Sequence, residues 1–270
     1  MATDPKGRLV FMNYNEADLT EKNNHLKSEP SQLLSFLTAN KNNRIEIVTS
    51  GNQFHGHSHS MYSAALISSG YSNFGNIHLT NDSVFDAIYG KRFASADVVL
   101  FVGDQSRLHS ILKGTKIFRI LHKRYMVEEN FTIAGVSTGG LCIPGRTISH
   151  FPANDARKRA IDLMPGLGFL HNCIIDTCYS QQTRYEKLAY TVGENHDLVG
   201  IGLGVDTALI INSGHLGSCR GDGTIVIINA SDTNYLETGS ETPDHSFFIK
   251  NLKGRVLIDG CSVNLRDMKK

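Results

Sequence analysis

Through residue 136 the sequence alternates short apolar runs with longer amphipathic stretches, and this alternation constrains the fold more than any other feature. Arg8–Tyr14 reads as a strand. Ser28–Thr38 reads as a helix, with Pro30 near its start and Leu33, Leu34 and Leu37 on one face. A strand follows at Ile45–Thr49, then a helix at Met61–Gly70 closed by glycine, a strand at Asn76–Leu79 and a helix at Ser83–Phe93. Asp97–Val102 is an unbroken apolar run of the kind buried on both faces. Ser106–Val127 reads as helical with a break near Gly114, and Phe131–Val136 as a short strand leading into Ser137 and a glycine pair. Strand and helix in strict alternation need crossover connections, hence a parallel sheet covered on both faces.

After Gly193 the pattern changes. Val199–Leu203, Thr207–Ile211, Ile225–Asn229, Phe247–Lys250 and Arg255–Ile258 are close-spaced strands with Gly, Asn and Asp between them. Arg220-Gly221-Asp222-Gly223 reads as a turn between two of them. No proline- or serine-rich linker and no internal repeat divides the chain. The expectation is one α/β domain over residues 1–270, a three-layer sandwich with a mainly parallel central sheet and a β-rich C-terminal part.

Composition narrows the function. In 270 residues, 40% hydrophobic and 20% charged, there is ample material for a core. Lys+Arg (27) nearly cancels Asp+Glu (26), and a charge of +1 argues against nucleic acid as a partner. No apolar run approaches the ~18–20 residues of a membrane span, and the first residues lack the apolar stretch of a secretory signal, so the expected location is the cytoplasm. Five scattered cysteines do not read as a disulfide framework. Cys142 and Cys173 fall in apolar surroundings, and Cys219 and Cys261 lack the Cys-x-x-Cys spacing of a structural zinc site. Neither a Walker loop nor a dinucleotide fingerprint occurs, so no nucleotide cofactor is expected.

The feature that carries chemistry is Gly135-Val136-Ser137-Thr138-Gly139-Gly140, which follows a strand and opens a predicted helix. Small residues around a serine at that junction permit a tight turn that lifts Oγ clear of the backbone, with helix N–H groups behind it for an oxyanion. A glycine-rich turn with an incidental serine fits the same spacing.

Further residues carry a family resemblance. Ile133 through Gly140 resembles the Ala-Gly-Thr-Ser-Ala-Gly-Ala elbow of cyanophycinases and related serine peptidases. Gly166-Leu167-Gly168-Phe169-Leu170 through Ile174-Ile175-Asp176-Thr177 is similar to that family's stretch before its catalytic histidine. Gly200-Ile201-Gly202-Leu203 through Asp206-Thr207-Ala208-Leu209 resembles its Gly-Ile-Gly-x-Asp-Glu-x-Thr-Ala-Leu segment, and Val102-Gly103-Asp104-Gln105-Ser106-Arg107-Leu108 its Gly-Gly-Asn/Asp-Gln-x-Arg-Leu turn. The resemblance implies a glutamine-amidotransferase-like α/β sandwich, a homodimer, and hydrolysis of β-aspartyl-linked arginine peptides without metal or organic cofactor. It implies that Ser137 is the nucleophile and that Gly103, Asp104, Gln105 and Thr138 lie against the substrate.

The departures are selective. Cys178 stands where the family has its histidine, Gln182 where it has a substrate-binding arginine, Val205 where it has glutamate, Gly204 where it has aspartate, and Val102 at the first glycine of the Gly-Gly turn. A thiol with a pKa of about 8.5 is a poor base for a hydroxyl, and valine cannot orient anything by hydrogen bonding. Three readings follow: a hydrolase with rearranged catalytic groups, a pseudoenzyme that binds a peptide-like ligand or partner, or a site in which Cys178 is itself the nucleophile or redox group. Candidates for a substitute base are His55, His57 and His59 in the loop after the second strand, His150 and His171. Alternating histidines can also bind zinc, while the simpler reading is a solvated loop with no metal.

Overall fold

In a computed structural model of the chain, residues 3–14, 30–51, 55–148, 163–177, 182–231, 236–238 and 247–269 are described. The alternating half forms β1 (Arg8–Asn13), α1 (Pro30–Leu34) prolonged by a 3-10 turn at Ser35–Leu37, β2 (Ile45–Ser50), α2 (His55–Ser68) and β3 (Phe74–Leu79). A 3-10 turn (Ser83–Phe85), α3 (Ala87–Ser95), β4 (Val98–Gly103), α4 (Gln105–Leu112), α5 (Lys116–Val127) and β5 (Thr132–Val136) complete it. Next come a 3-10 turn at Ser137–Cys142, β6 (Arg146–Ile148), β7 (Leu163–Pro165), β8 (Cys173–Asp176), α6 (Gln182–Glu194) and β9 (Val199–Leu203). The end of the chain carries β10 (Thr207–Asn212), β11 (Leu216–Arg220), β12 (Ile225–Asn229), β13 (Leu236–Thr238), β14 (Phe247–Ile249), β15 (Lys253–Leu257), β16 (Ser262–Asn264) and a 3-10 turn at Leu265–Lys269.

Side-chain caps set the helix starts. Asp86 accepts from Ile88 N ahead of α3, Asp104 from Ser106 N and Arg107 N ahead of α4, and Thr115 from Phe118 N ahead of α5. Gly114, at φ +77°, makes the break between α4 and α5. Among the boundaries that differ from the sequence reading, α2 begins at His55 and not at Met61, so the histidine run opens a helix and is not a loop.

The large sheet has the order β16-β11-β10-β1-β5-β4-β2-β3. From β1 to β3 every pairing is parallel, while β10, β11 and β16 extend the β1 edge antiparallel. The β-rich end is therefore partly a continuation of the central sheet, since hairpin strands can add to an edge without a crossover. The strands β9, β12 and β15 join β8 in a second sheet of order β15-β12-β9-β8.

Alternation along β1 sends Leu9 and Phe11 to one core and Val10 and Met12 to the other. The Val10 side packs on Leu33 and Leu34 of α1 and Tyr62 and Leu66 of α2. The Phe11 side packs on α3, α4 and α5, and shares its core with Val199, Ile201 and Ile227 of the second sheet. The far face of that second sheet is covered by Leu188, Ala189 and Val192 of α6. Among the described residues no helix is long and apolar enough to cross a membrane.

A carboxylate of β2 lies inside this packing. Glu46 on β2 is 1% exposed and is held by Arg44 (Nε to Oε1 3.0 Å) and by Arg92 of α3 (Nε to Oε1 3.1 Å). Gly75 on β3 makes room, because a Cβ there would stand 2.3 Å from Arg44 Nη2. A buried carboxylate is tolerated only when charge and hydrogen bonds compensate it. Glu46→Gln should lower stability by about 1–3 kcal/mol, read as a fall in the urea midpoint with the slope unchanged.

Candidate active site

Parallel strands bring their carboxyl ends to one edge, where ligand sites form. The register aligns Met12, Val136 and Val102, and one step on aligns Gly103 with Ser50. The segments after β1, β5, β4 and β2 therefore open side by side. Ser137 is the first residue past β5, with φ +47°. That left-handed conformation costs an L-residue about 1–2 kcal/mol, so packing must impose it.

The packing is backbone on backbone. A Cβ on Gly135 would lie 2.3 Å from Gly140 Cα, and one on Gly139 would lie 2.5 Å from the Phe101 carbonyl oxygen. The glycines let the chain double back onto β4 and β5 directly after Ser137. The sequence predicts a helix here, and the structure has the tighter 3-10 form over Ser137–Cys142, with Ile143 N donating to Gly140 O (3.2 Å). Behind the turn Cys142 is buried, its thiol donating to Gly139 O (3.2 Å), and burial pushes its pKa up, so it stays a neutral core group.

The next strand end meets the turn directly. Thr138 Oγ1 donates to the carbonyl of Gly103 (2.9 Å), itself at φ +110°, which ties the Ser137 turn to the segment after β4. Asp104 spends its carboxylate on Ser106 N (2.8 Å) and Arg107 N (3.2 Å). Gln105 is 7% exposed and bridges to β6, its amide donating to Ile148 O (3.4 Å) and accepting from Thr147 Oγ1 (3.4 Å). Gly103, Asp104 and Thr138 thus share the edge with Ser137, while the Gln105 side chain is turned into structure. Sequence reasoning passed over Ser50, whose buried Oγ has no partner among the described residues, and Arg107, whose Cδ lies 3.3 Å from where a Cβ on Gly51 would stand.

Val205 reaches the same edge by another route. Asn13, at the end of β1, donates Nδ2 to the carbonyls of Leu203 and Gly204 (both 3.0 Å), pinning the turn between β9 and β10 beside β1. Within that turn Val205 is 40% exposed and Asp206 has φ +56°. A hydrocarbon in that place can neither donate nor accept. A polar residue ending an otherwise apolar strand was the sequence signal for Asn13. Asp176 ends β8 opposite Gly202 and is 3% exposed, and the Oγ1 of buried Thr177 has no partner among the described residues. Cys178 and the side chain of Gln182 lie outside the described residues.

Of the histidines, His150 and the side chains of His55 and His57 also lie outside them. His59 Nε2 is hydrogen-bonded to Thr49 Oγ1 (2.9 Å), which is also bonded to His78 Nδ1 (3.1 Å). A hydroxyl has one proton, so it donates to at most one of the two rings and at least one imidazole presents an N–H to it. Thr49 is in register with Val102 and so with Val136, two strands or about 10 Å from the Ser137 turn. His59 is thus committed to Thr49. His171 precedes β8 and lines a cleft with Asp4 and Ser213 at the amino edge of the sheet, so it is not a base for Ser137. Among the described residues no group of histidines, cysteines and carboxylates could hold a metal ion.

The sequence pattern of Peptidase family S51 matches residues 19–218, and the chain belongs to that family. It is 28% identical over 166 residues to a cyanophycinase from Synechococcus elongatus, covering 61% of this chain and 51% of the relative. A cyanophycinase from Trichormus variabilis is 26% identical over 176 residues, covering 64% and 58%. The chain spans about half the length of the curated relatives it matches. Among solved structures, a peptidase from an acI-B1 Actinobacterium superposes with a TM-score of 0.69 at 14% identity, over 97% of this chain and 98% of that one. A putative peptidase E protein from Listeria monocytogenes gives 0.52 at 13% identity, over 82% and 99%. Those likenesses are of fold.

The left-handed serine has a measurable signature. Ser137→Gly should raise stability by about 0.5–1 kcal/mol by relieving φ, whereas Gly139→Ala should lower it by about 2–4 kcal/mol by forcing the turn off β4. Thermal unfolding of the two variants beside the parent checks both signs.

Proposed function

We propose that this chain binds a small peptide of the β-aspartyl-arginine type at a nucleophile elbow carrying Ser137, and hydrolyses it little or not at all. The observation that carries the reading is the pairing of a strained serine with Val205. The fold maintains the costly φ at Ser137, yet the turn across the same edge presents a hydrocarbon where the family resemblance puts a glutamate. A serine hydroxyl becomes a nucleophile only with a base in reach and a group that orients the base. Cys178 at the histidine position and Gln182 at the arginine position remove the base and a charged, bidentate grip on a carboxylate. Gly103, Asp104 and Thr138 supply the binding edge, with Gln105 bracing it from beneath. The continuous core shared by both sheets supports reading residues 1–270 as one α/β domain. A homodimer in the cytoplasm, without metal or cofactor, completes the proposal.

Removing triad members leaves a residual acceleration of about 10³–10⁴ over water where oxyanion stabilisation and binding persist. The parent should therefore bind a β-aspartyl-arginine dipeptide saturably, resist a fluorophosphonate probe, and show almost no turnover. The triple variant Cys178→His with Val205→Glu and Gln182→Arg should gain turnover and probe labelling, both abolished by adding Ser137→Ala. Robust hydrolysis by the parent, or failure to bind the dipeptide, would contradict the proposal. Sedimentation across a range of concentrations should report a dimer.

A further inference from the structure

A second cleft, of about 530 Å³, opens at the opposite end of the sheet from Ser137. Its volume lies within the roughly 300–1,000 Å³ typical of small-molecule sites, and it contains none of the residues of the Ser137 edge. Its floor is aromatic and apolar. Phe169 is buried, edge-on to Tyr125 (centroids 5.6 Å apart, 86°) and 6.1 Å from the ring of His122, with Leu265 buried beside them.

The rim is rich in donors and has one carboxylate. Asp4 is the acid among the lining residues, and it is already taken by Arg266, whose Nη1 donates to Oδ2 (3.2 Å) and whose Nη2 donates to Oδ1. The hydrogen bond from Arg266 is the main reason the Asp4 carboxyl is held below its ordinary pKa. A guanidinium has five N–H groups, so Arg266 keeps others for a ligand. His215 Nδ1 lies 2.7 Å from the Ser213 carbonyl, which can only accept, so that nitrogen carries the proton and Nε2 is left over. The exposed rings of His122 and His171 have no hydrogen bond or ion pair among the described residues. The two turns that form the rim are also strained, with Asn172 at φ +59° and Ser213 at φ +53°, a feature that concentrates at ligand clamps.

We infer that this amino-edge cleft is a binding site for a small organic oxyanion, an aromatic or apolar body carrying a carboxylate or phosphate group. The body lies on Phe169 and its neighbours. The anionic group meets Arg266 and the imidazoles of His122 and His171, which donate from their ring nitrogens.

Calorimetric titration of the full chain tests this with three probes that share a phenyl body: benzoate, phenyl phosphate and benzylamine. At least one anion should bind at a single site with a Kd below about 1 mM, and the tighter of the two identifies the group recognised. Benzylamine should not bind. The double variant His122→Ala with His171→Ala, both exposed, should weaken the anion at least fivefold, whereas Ser137→Ala should leave its affinity unchanged. The inference is overturned if neither anion binds, if benzylamine binds as well, if the histidine variant keeps full affinity, or if Ser137→Ala abolishes binding.

Discussion

The contact on which the Ser137 edge depends is the approach of Gly135 to Gly140 and of Gly139 to the Phe101 carbonyl. Backbone meets backbone there at a separation that excludes any side chain. The chain leaving β5 can then fold back over β4, which drives Ser137 to a positive φ and leaves Thr138 able to reach the Gly103 carbonyl. The strain at one residue is borne by the cores on either face of the sheet, where Phe101, Ile133 and Leu141 pack on one side and Ala134 and Val136 on the other. A site held this way rests on rigid strands, with the opening formed by their last residues and the short turns that follow them.

A second set of contacts gathers the strand ends. Asn13 draws the β9–β10 turn against β1, and Gln105 anchors the start of α4 to β6. These are polar groups buried at the edge with their hydrogen bonds met, so each fixes one geometry at little net cost. The scaffold fixes the strand ends whichever side chains the edge carries. Val205 is 40% exposed, so the packing of the β9–β10 turn makes little demand on its side chain.

Much of this was legible in the sequence. The strands of the parallel half follow from apolar runs whose composition has no other stable use, and the junction at Ser137 follows from a serine between glycines at a strand end. Other features were out of reach for physical reasons. Periodicity gives strands but not partners, so it could not tell that β10, β11 and β16 extend the central sheet while β9, β12 and β15 leave it. The run from His55 to His59 lacks an apolar stripe, which disguised the first turns of α2. The bridge from Thr49 to His59 and His78 joins three elements and exists only through register. His171, weighed as a base, is separated from Ser137 by the height of the sheet, a distance no local pattern encodes.

The central claim is that the Ser137 turn persists while its proton-transfer partners do not. A crystal structure of the protein with a β-aspartyl-arginine dipeptide bound tests it most directly. The account predicts Ser137 at a φ near +47°, the dipeptide at the edge formed by Gly103 and Thr138, and no imidazole or carboxylate of the protein within hydrogen-bond distance of the serine Oγ. Density for a histidine or carboxylate on that oxygen, or for Ser137 inside a regular helix, would contradict it.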